Sequence, residues 1–164
     1  MTKWAGLEGA MLIASDHADR LAAVPVETVE RAKALSQHLS VVPESRIAIQ
    51  HGAHAMHDVT EGGVLGAVWE LAMQERLGAV VDTDAIPMLP EIKAVADAVG
   101  LDPYRLMASG SMLIACKNGV EMVRALHDAG VPAAVIGRVT ERDFRFADGS
   151  PLDPPGADEL YRLF

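Results

Sequence analysis

The sequence has 164 residues, half of them hydrophobic, a length and composition that support one domain with a core of its own. Its 14 Lys and Arg residues against 23 Asp and Glu give a net charge of −9, which argues against a nucleic-acid surface and a polybasic membrane anchor. The apolar stretch after Lys3 is interrupted by Glu8, and no segment reaches the roughly 18 apolar residues of a membrane span. We therefore expect a cytoplasmic protein whose partners are small molecules and other proteins, with no nucleic acid and no membrane among them.

In chain order, the first predicted element is a surface helix over residues 25–40, which opens at Pro25 and repeats apolar residues at helical spacing. Residues 53–59, AHAMHDV, then predict a short strand. A second helix follows the glycine pair at 62 and 63. Its apolar stripe comprises Val64, Leu65, Val68, Leu71 and Ala72.

The same order then repeats, with a strand predicted over GAVVDTDAI, a helix over PEIKAVADAVG ending at Gly100, and a short helical turn over DPYRLM. GSMLIAC predicts a buried strand that contains Cys116, the only cysteine, so no disulfide framework is possible and a reducing cytoplasm fits. Asn118 is a good N-cap for a helix that closes at Gly130.

AAVIGRV and FRFA predict two final strands, joined through TERD as a hairpin, and the proline-rich tail is expected to wrap the surface. Alternating helices and strands with a terminal hairpin indicate an α+β fold, a mixed β-sheet layered with α-helices. No repeat, low-complexity tract or linker divides the chain, so we expect a single domain over residues 1–164.

The stretch HDVTEGGVLG raises the question of why two glycines stand where a strand becomes a helix. Asp58 or Thr60 is suited to cap the helix, and Asp58 with Glu61 forms a variant of the capping box. Capping does not explain Gly62 and Gly63, each of which costs roughly 1 kcal/mol relative to alanine inside a helix. Without a Cβ, however, they let a phosphate approach the unpaired amides and the positive dipole end of the helix start.

The charges near the glycines leave the nature of this site open. Asp58 and Glu61 flank the pair, and no Lys or Arg lies between Arg46 and Arg76. Either the carboxylates serve as caps, or a Mg²⁺ ion bridges them to a phosphate, or cations come from elsewhere in the fold or from another polypeptide. The spacing itself matches neither the P-loop nor the dinucleotide-binding fingerprint.

The stretch MHDVTEGGVLGAVWELA resembles the D-x-T-x-G-G segment in the C-terminal domain of the aminoimidazole ribonucleotide synthetase superfamily. That superfamily includes hydrogenase-maturation carbamoyl dehydratase, selenophosphate synthetase and thiamine-monophosphate kinase. The opening TKWAGLEGAMLIA, the middle DPYRLMASGSMLIA and the ending DELYRLF are similar to the branch called AIR synthase-related. The resemblance covers almost the whole chain and implies a PurM C-terminal-domain-like fold.

In this superfamily, an N-terminal domain dimerises and holds most of the ATP- and metal-binding residues, while the C-terminal domain closes one side of the cleft. The resemblance covers only the second half, so it implies an excised domain or truncated gene product that is incomplete as an enzyme. ATP and Mg²⁺ are the expected cofactors, bound mainly by the absent N-terminal ATP-binding domain. The expected partners are that domain or chain, a possible second copy in a homodimer, and a small-molecule substrate.

The resemblance also implies three loops at the phosphate or nucleotide site. Each has an alternative: a capped helix start for the first, a helix start with a favourable Glu for the second, and a turn before a buried strand for the third. No residue is assigned a catalytic or metal-binding role. The loops comprise Asp58, Thr60, Glu61, Gly62 and Gly63; Gly6 and Gly9 around Glu8; and Ser109, Gly110 and Ser111.

Two further patterns narrow the function. Carbamoyl dehydratases end in a cysteine that carries the substrate group, whereas this sequence ends in Phe164, so that activity is not expected. His51, His54 and His57 are spaced three apart, but alternation along a strand directs His54 away from the other two, so no metal site is predicted there.

Two hypotheses of different classes remain. In the first, the chain is part of an ATP-dependent ligase- or transferase-like enzyme that activates an oxygen or transfers a phosphoryl group on an unknown small substrate. In the second, it is a non-catalytic binding or assembly module of the same fold, since no nucleophile, base or lysine stands near the glycines. On either hypothesis, the surface that meets the N-terminal half is expected to be apolar.

Overall fold

A computed structural model describes all residues from 1 to 164. It contains six α-helices, five β-strands and four short 3-10 helices. The α-helices are α1 (Leu7–Asp16), α2 (Val26–Ala34), α3 (Val42–Gln50), α4 (Gly63–Met73), α5 (Pro90–Val99) and α6 (Gly119–Asp128). The strands are β1 (Ala53–Asp58), β2 (Gly78–Val81), β3 (Met112–Cys116), β4 (Gly137–Thr140) and β5 (Phe144–Phe146). None of the helices combines the length and apolar character needed to cross a membrane.

The strands form two small sheets. In the first, β1 pairs antiparallel with β3. In the second, β2 lies between β4 and β5, antiparallel to β4 and parallel to β5. The predicted α+β class and the mixed sheet are confirmed, but the strands are divided between two sheets.

The predicted hairpin of β4 and β5 is wrong, because both strands pair with β2 and not with each other. The connection between them passes across the start of β2, where the Ala79 amide donates to the carbonyl of Asp143 at 2.9 Å. A Cβ on Gly78 would overlap that same carbonyl. Glycine at this position therefore allows the connection to cross the sheet and places β5 on the far side of β2.

Local signals predicted several helices correctly. Helix α5 begins with Pro90 and ends before Gly100, which has a φ of 70°. Asn118 caps α6 by accepting a hydrogen bond from the Glu121 amide at 3.2 Å. The DPYRLM segment forms no helix, because Leu106 is fully buried and fixes the segment as an irregular loop against α1.

The main core lies between the helices and the second sheet, and α1 contributes four fully buried residues to it. They are Leu7, Ala10, Ile13 and Ala14. Helix α4 is buried on most of its surface, as expected for a helix that is apolar nearly all round. The tail also contributes, since Leu152 and Leu163 are buried, so it is packed into the fold as well as wrapped over it.

The first residues of the chain lie between the two sheets. The Thr2 amide donates to the carbonyl of Met112 in β3 at 2.9 Å, and the Ala134 amide donates to the carbonyl of Met1 at 2.9 Å. The amino group of Met1 donates to the carbonyl of Ala134 at 2.8 Å. Burial lowers the pKa of this amine from 8.0 to about 6, and the nearby Cys116 opposes the shift only partly.

Because the Met1 amine is buried, we predict that the free energy of unfolding rises between pH 6 and pH 8. In that window the unfolded chain holds a proton on Met1 that the folded chain has released, so the free energy of unfolding increases with pH. A shift of this size corresponds to about 3 kcal/mol in total. Urea denaturation across the window, on protein whose intact mass shows that Met1 is retained, measures the effect.

Protein acetylated at the Met1 amine is the control, because it keeps every histidine and loses only this titration. The difference between the free and acetylated proteins isolates the amine. Identical pH profiles for the two would show that the amine is not buried as described.

Candidate functional site

The start of α4 adopts a backbone conformation that favours glycine. Gly62 has a φ of 80° and Gly63 a φ of 62°, both in the left-handed region, where other residues are strained. Gly62 is the N-cap residue, and the first helical residue is Gly63. The predicted caps at Asp58 and Thr60 are therefore wrong, because the helix begins beyond their reach and neither side chain bonds to its amides.

A carboxylate from the C-terminal tail occupies the helix start. The Gly62 amide donates to Oδ2 of Asp158 at 2.8 Å, in a buried hydrogen bond between residues 96 positions apart. The Gly63 amide donates to the carbonyl of Thr60 at 3.2 Å, and the Leu65 amide donates to the carbonyl of Tyr104 at 3.2 Å. A carboxyl group of the protein itself therefore already occupies this position.

The tail is held at this point by further contacts. Pro155 lies against the first turn, 3.8 Å from the position of a Cβ on Gly62 and 3.6 Å from one on Gly66. The hydroxyl of Tyr161 donates to Oε1 of Glu61 at 2.8 Å. The tail thus covers the glycine-rich turn with one apolar contact and two polar ones.

The Asp158 carboxyl is in an environment that opposes its charge. Burial raises its pKa, the amides of Leu160 and Gly62 act in the opposite direction, and the charge of Glu61 adds to the increase. A carboxyl whose folded pKa is raised makes its contribution to stability below that pKa and loses it as the pH rises. The hydrogen bonds from the Leu160 and Gly62 amides therefore only partly offset the unfavourable burial of the charged form.

Packing explains the second glycine of the pair. A Cβ on Gly63 would lie 2.5 Å from the carbonyl oxygen of Tyr104 and 2.8 Å from that of Leu106. The chain segment that occupies this space is residues 104–106, and no ligand is needed to account for the glycine. We expected the backbone of Gly63 to face a ligand, but the space beside its Cα is filled by residues 104–106.

The second predicted loop meets the same segment. A Cβ on Gly9 would overlap the side chain of Leu106, and one on Gly6 would lie 3.2 Å from the carbonyl oxygen of Pro103. Glu8 lies in the first turn of α1, and its Oε2 is buried without a hydrogen-bond partner. The structure therefore matches the helix-start alternative for this loop, with glycines that allow close packing.

The third predicted loop is tied to the N-terminal segment. The hydroxyl of the fully buried Ser111 donates to the carbonyl of Trp4 at 2.8 Å and accepts a hydrogen bond from the Trp4 amide at 3.2 Å. Gly110 has a φ of 101°, and its carbonyl accepts a hydrogen bond from Nζ of Lys3 at 2.6 Å. Ser109 is half-buried beside them. Residues 103–111 therefore connect all three predicted loops.

The acidic residues at the helix start differ in their surroundings. The Asp58 side chain is 60% exposed and its Oδ1 lies 3.8 Å from Nδ1 of His57. Nε2 of His57 in β1 lies 2.9 Å from Oε2 of Glu70 in α4, a pairing that the sequence did not reveal. His54 and His57 lie on opposite faces of β1, as predicted, because the exposed and half-buried residues of that strand alternate.

A large apolar groove lies elsewhere, between β3 and β4. Its volume is about 840 Å³, and 20 of its 26 lining residues are hydrophobic. The middle of α4 contributes to its wall through Val68, Leu71 and Ala72, but the glycine-rich turn does not. The groove and the start of α4 are therefore separate places on the molecule.

Comparisons with known proteins agree with this fold. Residues 1–148 match the family model described as AIR synthase related protein, C-terminal domain. The chain is 36% identical over 121 residues to carbamoyl dehydratase HypE of Escherichia coli (strain K12), a match that covers 68% of this chain and 36% of that protein. The crystal structure of E. coli HypE, a hydrogenase maturation protein, aligns with a TM-score of 0.74 and 27% identity over 98% of this chain and 50% of that one.

A crystal structure of HypE in complex with ATP aligns with a TM-score of 0.52 and 22% identity, covering 66% of this chain and 37% of that chain, and shows likeness of fold alone. The chain spans about a third of the curated E. coli relative and half of the solved structure. The family match and the fold together show that the chain belongs to the AIR synthase-related proteins, whose C-terminal domain it resembles along nearly its whole length.

Proposed function

We propose that this chain is the C-terminal half of an ATP-dependent enzyme that activates an oxygen or transfers a phosphoryl group on a small substrate. In this proposal, the start of α4 faces the phosphates of ATP. Membership of the family supports the ATP-dependent chemistry, since solved members include a complex with ATP. The remaining ATP- and Mg²⁺-binding residues belong to the half of the relatives that these 164 residues do not span.

The observation that carries the proposal is the family match over residues 1–148; at the start of α4, the structure adds a hydrogen bond from the Gly62 amide to the Asp158 carboxyl group. This hydrogen bond supports an anion site at the helix start, where amide hydrogens and the positive end of the helix dipole attract negative charge. A phosphate oxygen is similar to a carboxylate oxygen as an acceptor. Asp158 is therefore a resident competitor for the place that a phosphate would take.

The surrounding carboxylates fit a metal-bridged phosphate better than a bare one. Asp58 does not cap α4, so its exposed side chain remains free to accept a metal ion. Glu61 is engaged by the Tyr161 hydroxyl, which would leave together with the tail. Carboxylate oxygens are the ligands that Mg²⁺ prefers, and the ion would also offset their repulsion of the phosphate. Two carboxylates do not complete such a site, so its remaining ligands would lie outside these 164 residues.

Substitution of Asp158 by Ala tests the proposal in the chain as it stands. Removal of the resident carboxylate frees the Gly62 amide, so the affinity for Mg-ATP is expected to rise at least about tenfold, or about 1.4 kcal/mol. Isothermal titration with Mg-ATP, and separately with inorganic phosphate, measures the change. Equal binding of Mg-ATP by Asp158→Ala and the unmodified chain would argue against a phosphate site at α4.

Asp153→Ala is the matched control, because Asp153 is an exposed carboxylate of the same tail. Its removal changes the net charge equally and leaves the Gly62 hydrogen bond in place. Gly63→Val is not a useful test, since a Cβ there collides with the carbonyl of Tyr104 whether or not a nucleotide binds. Tyr161→Phe removes only the contact with Glu61, so its affinity for Mg-ATP measures the contribution of that contact to the effect of the tail.

The second candidate function is a non-catalytic binding or assembly module. The packing of Gly62 under Asp158 and of Gly63 under residues 104–106 favours it, because each contact reduces access to the glycine-rich turn. The test is a triple variant in which Asp58, Thr60 and Glu61 are all replaced by Ala. A binding module is expected to keep its affinity for its protein partner, whereas half of an enzyme is expected to lose activity in the assembled protein. The Asp158→Ala titration and this triple variant thus separate the two functions.

A further inference from the structure

The turn between β3 and α6 contains the pair Asn118-Gly119, and Asn118 is the only asparagine in the chain. Asn118 is exposed and is the N-cap residue of α6, whose first residue is Gly119. When glycine follows asparagine, the next backbone nitrogen can approach the side-chain carbonyl carbon closely, because glycine has no Cβ beside that nitrogen. The pair is therefore a candidate for a reaction within the chain itself.

The reaction open to this pair is deamidation, the loss of ammonia from the side chain. The backbone nitrogen of Gly119 forms a bond to Cγ of Asn118, and the bond from Cγ to Nδ2 breaks. Nδ2 leaves as ammonia with the proton of the Gly119 amide, and a succinimide ring remains. Water then opens the ring at either carbonyl and leaves aspartate or isoaspartate at position 118.

The attacking nitrogen is not engaged by the helix. Gly119 is the first residue of α6, so its amide is one of the amides at a helix start that have no acceptor within the helix. No hydrogen bond of α6 has to break before this nitrogen attacks. The reaction is therefore controlled by the side chain of Asn118.

Glu121 holds that side chain through two hydrogen bonds. The Glu121 amide donates to Oδ1 of Asn118 at 3.2 Å, and Nδ2 of Asn118 donates to Oε2 of Glu121 at 3.1 Å. Together they form a variant of the capping box. Ring closure expels Nδ2 and reorients Oδ1, so both hydrogen bonds oppose it.

We propose that Asn118-Gly119 is a deamidation site whose rate is set by Glu121. While the hydrogen bonds to Glu121 persist, α6 keeps its cap and the reaction is slow. When they open, the Gly119 nitrogen closes the ring, and water is the only co-reactant. This inference is independent of the nucleotide proposal, because the pair lies at α6 and not at the start of α4.

Either product weakens the start of α6. An aspartate places a negative charge beside the Glu121 carboxylate, where the Nδ2 donor stood, and like charges repel. In an isoaspartate the former side-chain carbonyl becomes part of the main chain, so it no longer serves as a cap. The first turn of α6 carries Met122, which packs with Ala48 and Met112 in the smaller core cluster. Deamidation is therefore expected to loosen the helix that closes this cluster.

Intact mass measures the reaction directly, because replacement of ammonia by water raises the mass and no second asparagine contributes. The folded chain is expected to react at least about tenfold more slowly than the chain unfolded in guanidinium chloride, since two hydrogen bonds oppose ring closure. Peptide mapping assigns the change to residue 118 and separates aspartate from isoaspartate.

Glu121→Ala tests the restraint. It removes the acceptor of Nδ2 and is expected to accelerate the mass increase of the folded chain about fivefold. Glu121→Gln is the matched control, because it removes the same charge but keeps a side-chain oxygen that accepts from Nδ2, so its rate is expected to stay close to that of the unmodified chain.

Gly119→Ala tests the attacking nitrogen. The added methyl group crowds that nitrogen, so the mass increase is expected to be absent over the same interval. The variant is expected to fold, because the nearest atoms to its Cβ belong to the side chain of Val135, the closest at 3.0 Å.

Hydrogen exchange of the aged chain tests the effect on α6. In the isoaspartate form, exchange at the amides of Glu121 and Met122 is expected to be at least about threefold faster, because the cap is lost. Unchanged exchange at both amides would contradict the role of Asn118 as the cap that the reaction removes.

Four results of the mass measurements overturn the proposal. They are equal rates in the folded and unfolded chains, equal rates in Glu121→Ala and Glu121→Gln, an unslowed reaction in Gly119→Ala, and a mass increase that maps to a glutamine. A reaction at residue 118 that is slow in the folded chain, faster in Glu121→Ala and absent in Gly119→Ala supports it.

Discussion

Replacement of Gly63 by Ala is expected to lower the free energy of unfolding by about 3 to 5 kcal/mol, one of the largest effects available from a single methyl group in this protein. Two costs combine at this position. The φ of 62° strains any residue with a Cβ, and the added carbon would lie 2.5 Å from the carbonyl oxygen of Tyr104. Relief requires residues 104–106 to move, and the same segment packs against Gly9 of α1.

Gly100→Ala is the control for the strain alone. Gly100 has a φ of 70°, close to that of Gly63, but no atom lies within 4 Å of the position of its Cβ. It is expected to cost about 1 to 2 kcal/mol. Urea denaturation of both variants separates packing from backbone conformation, and equal losses would show that residues 104–106 do not pack against Gly63 as described.

Replacement of Lys3 by Met is expected to cost about 3 to 5 kcal/mol, because it leaves a buried carboxylate without its partner. Nζ of Lys3 lies 2.6 Å from Oε1 of Glu44, and the two side chains are only 8% and 1% exposed. The same ammonium donates to the carbonyls of His38, Ser40 and Gly110. Methionine has a similar volume, so the loss reports on charge and hydrogen bonding and not on a cavity.

Lys93→Met is the matched control at the surface. Nζ of Lys93 lies 2.7 Å from Oδ2 of Asp97, but both side chains are more than half exposed. Exposed pairs contribute about 0 to 1 kcal/mol, so this variant is expected to change stability little. The double variant Lys3→Met with Glu44→Gln is expected to recover part of the loss, because it removes the unpaired charge. A Lys3→Met cost as small as that of Lys93→Met would contradict the burial of the pair.

The elements that the sequence predicted well are those with local signals. Helix α5 lies between Pro90 and Gly100, and Asn118 caps α6, because caps and breakers act on the residues next to them. Strands β1 and β3 were recognised from short extended runs. Helix α3 was not predicted, and α1 was expected only as the helix-start alternative at Gly6 and Gly9; α1 is apolar on most of its surface and gives little contrast between faces.

The start of α4 was predicted in position but not in its contacts. The glycine pair does start a helix, and the Gly62 amide donates to a carboxyl group. That group is Asp158, which is 96 residues away along the chain and carries no signal that links it to Gly62. The caps predicted at Asp58 and Thr60 were wrong for the same reason. Sequence spacing points to side chains close to the glycines, whereas the carboxyl group that contacts Gly62 comes from the distant Asp158.

The sequence by itself determined the family, the α+β class and the glycine-rich start of α4, because these depend on residue types at short spacing. Only the tertiary structure decided that β4 and β5 lie on opposite sides of β2, that Asp158 caps α4, and that a groove remains open between β3 and β4. Each of these depends on contacts between residues far apart in the chain. Such contacts follow from how the packed elements share space and hydrogen-bonding groups, which no local pattern records.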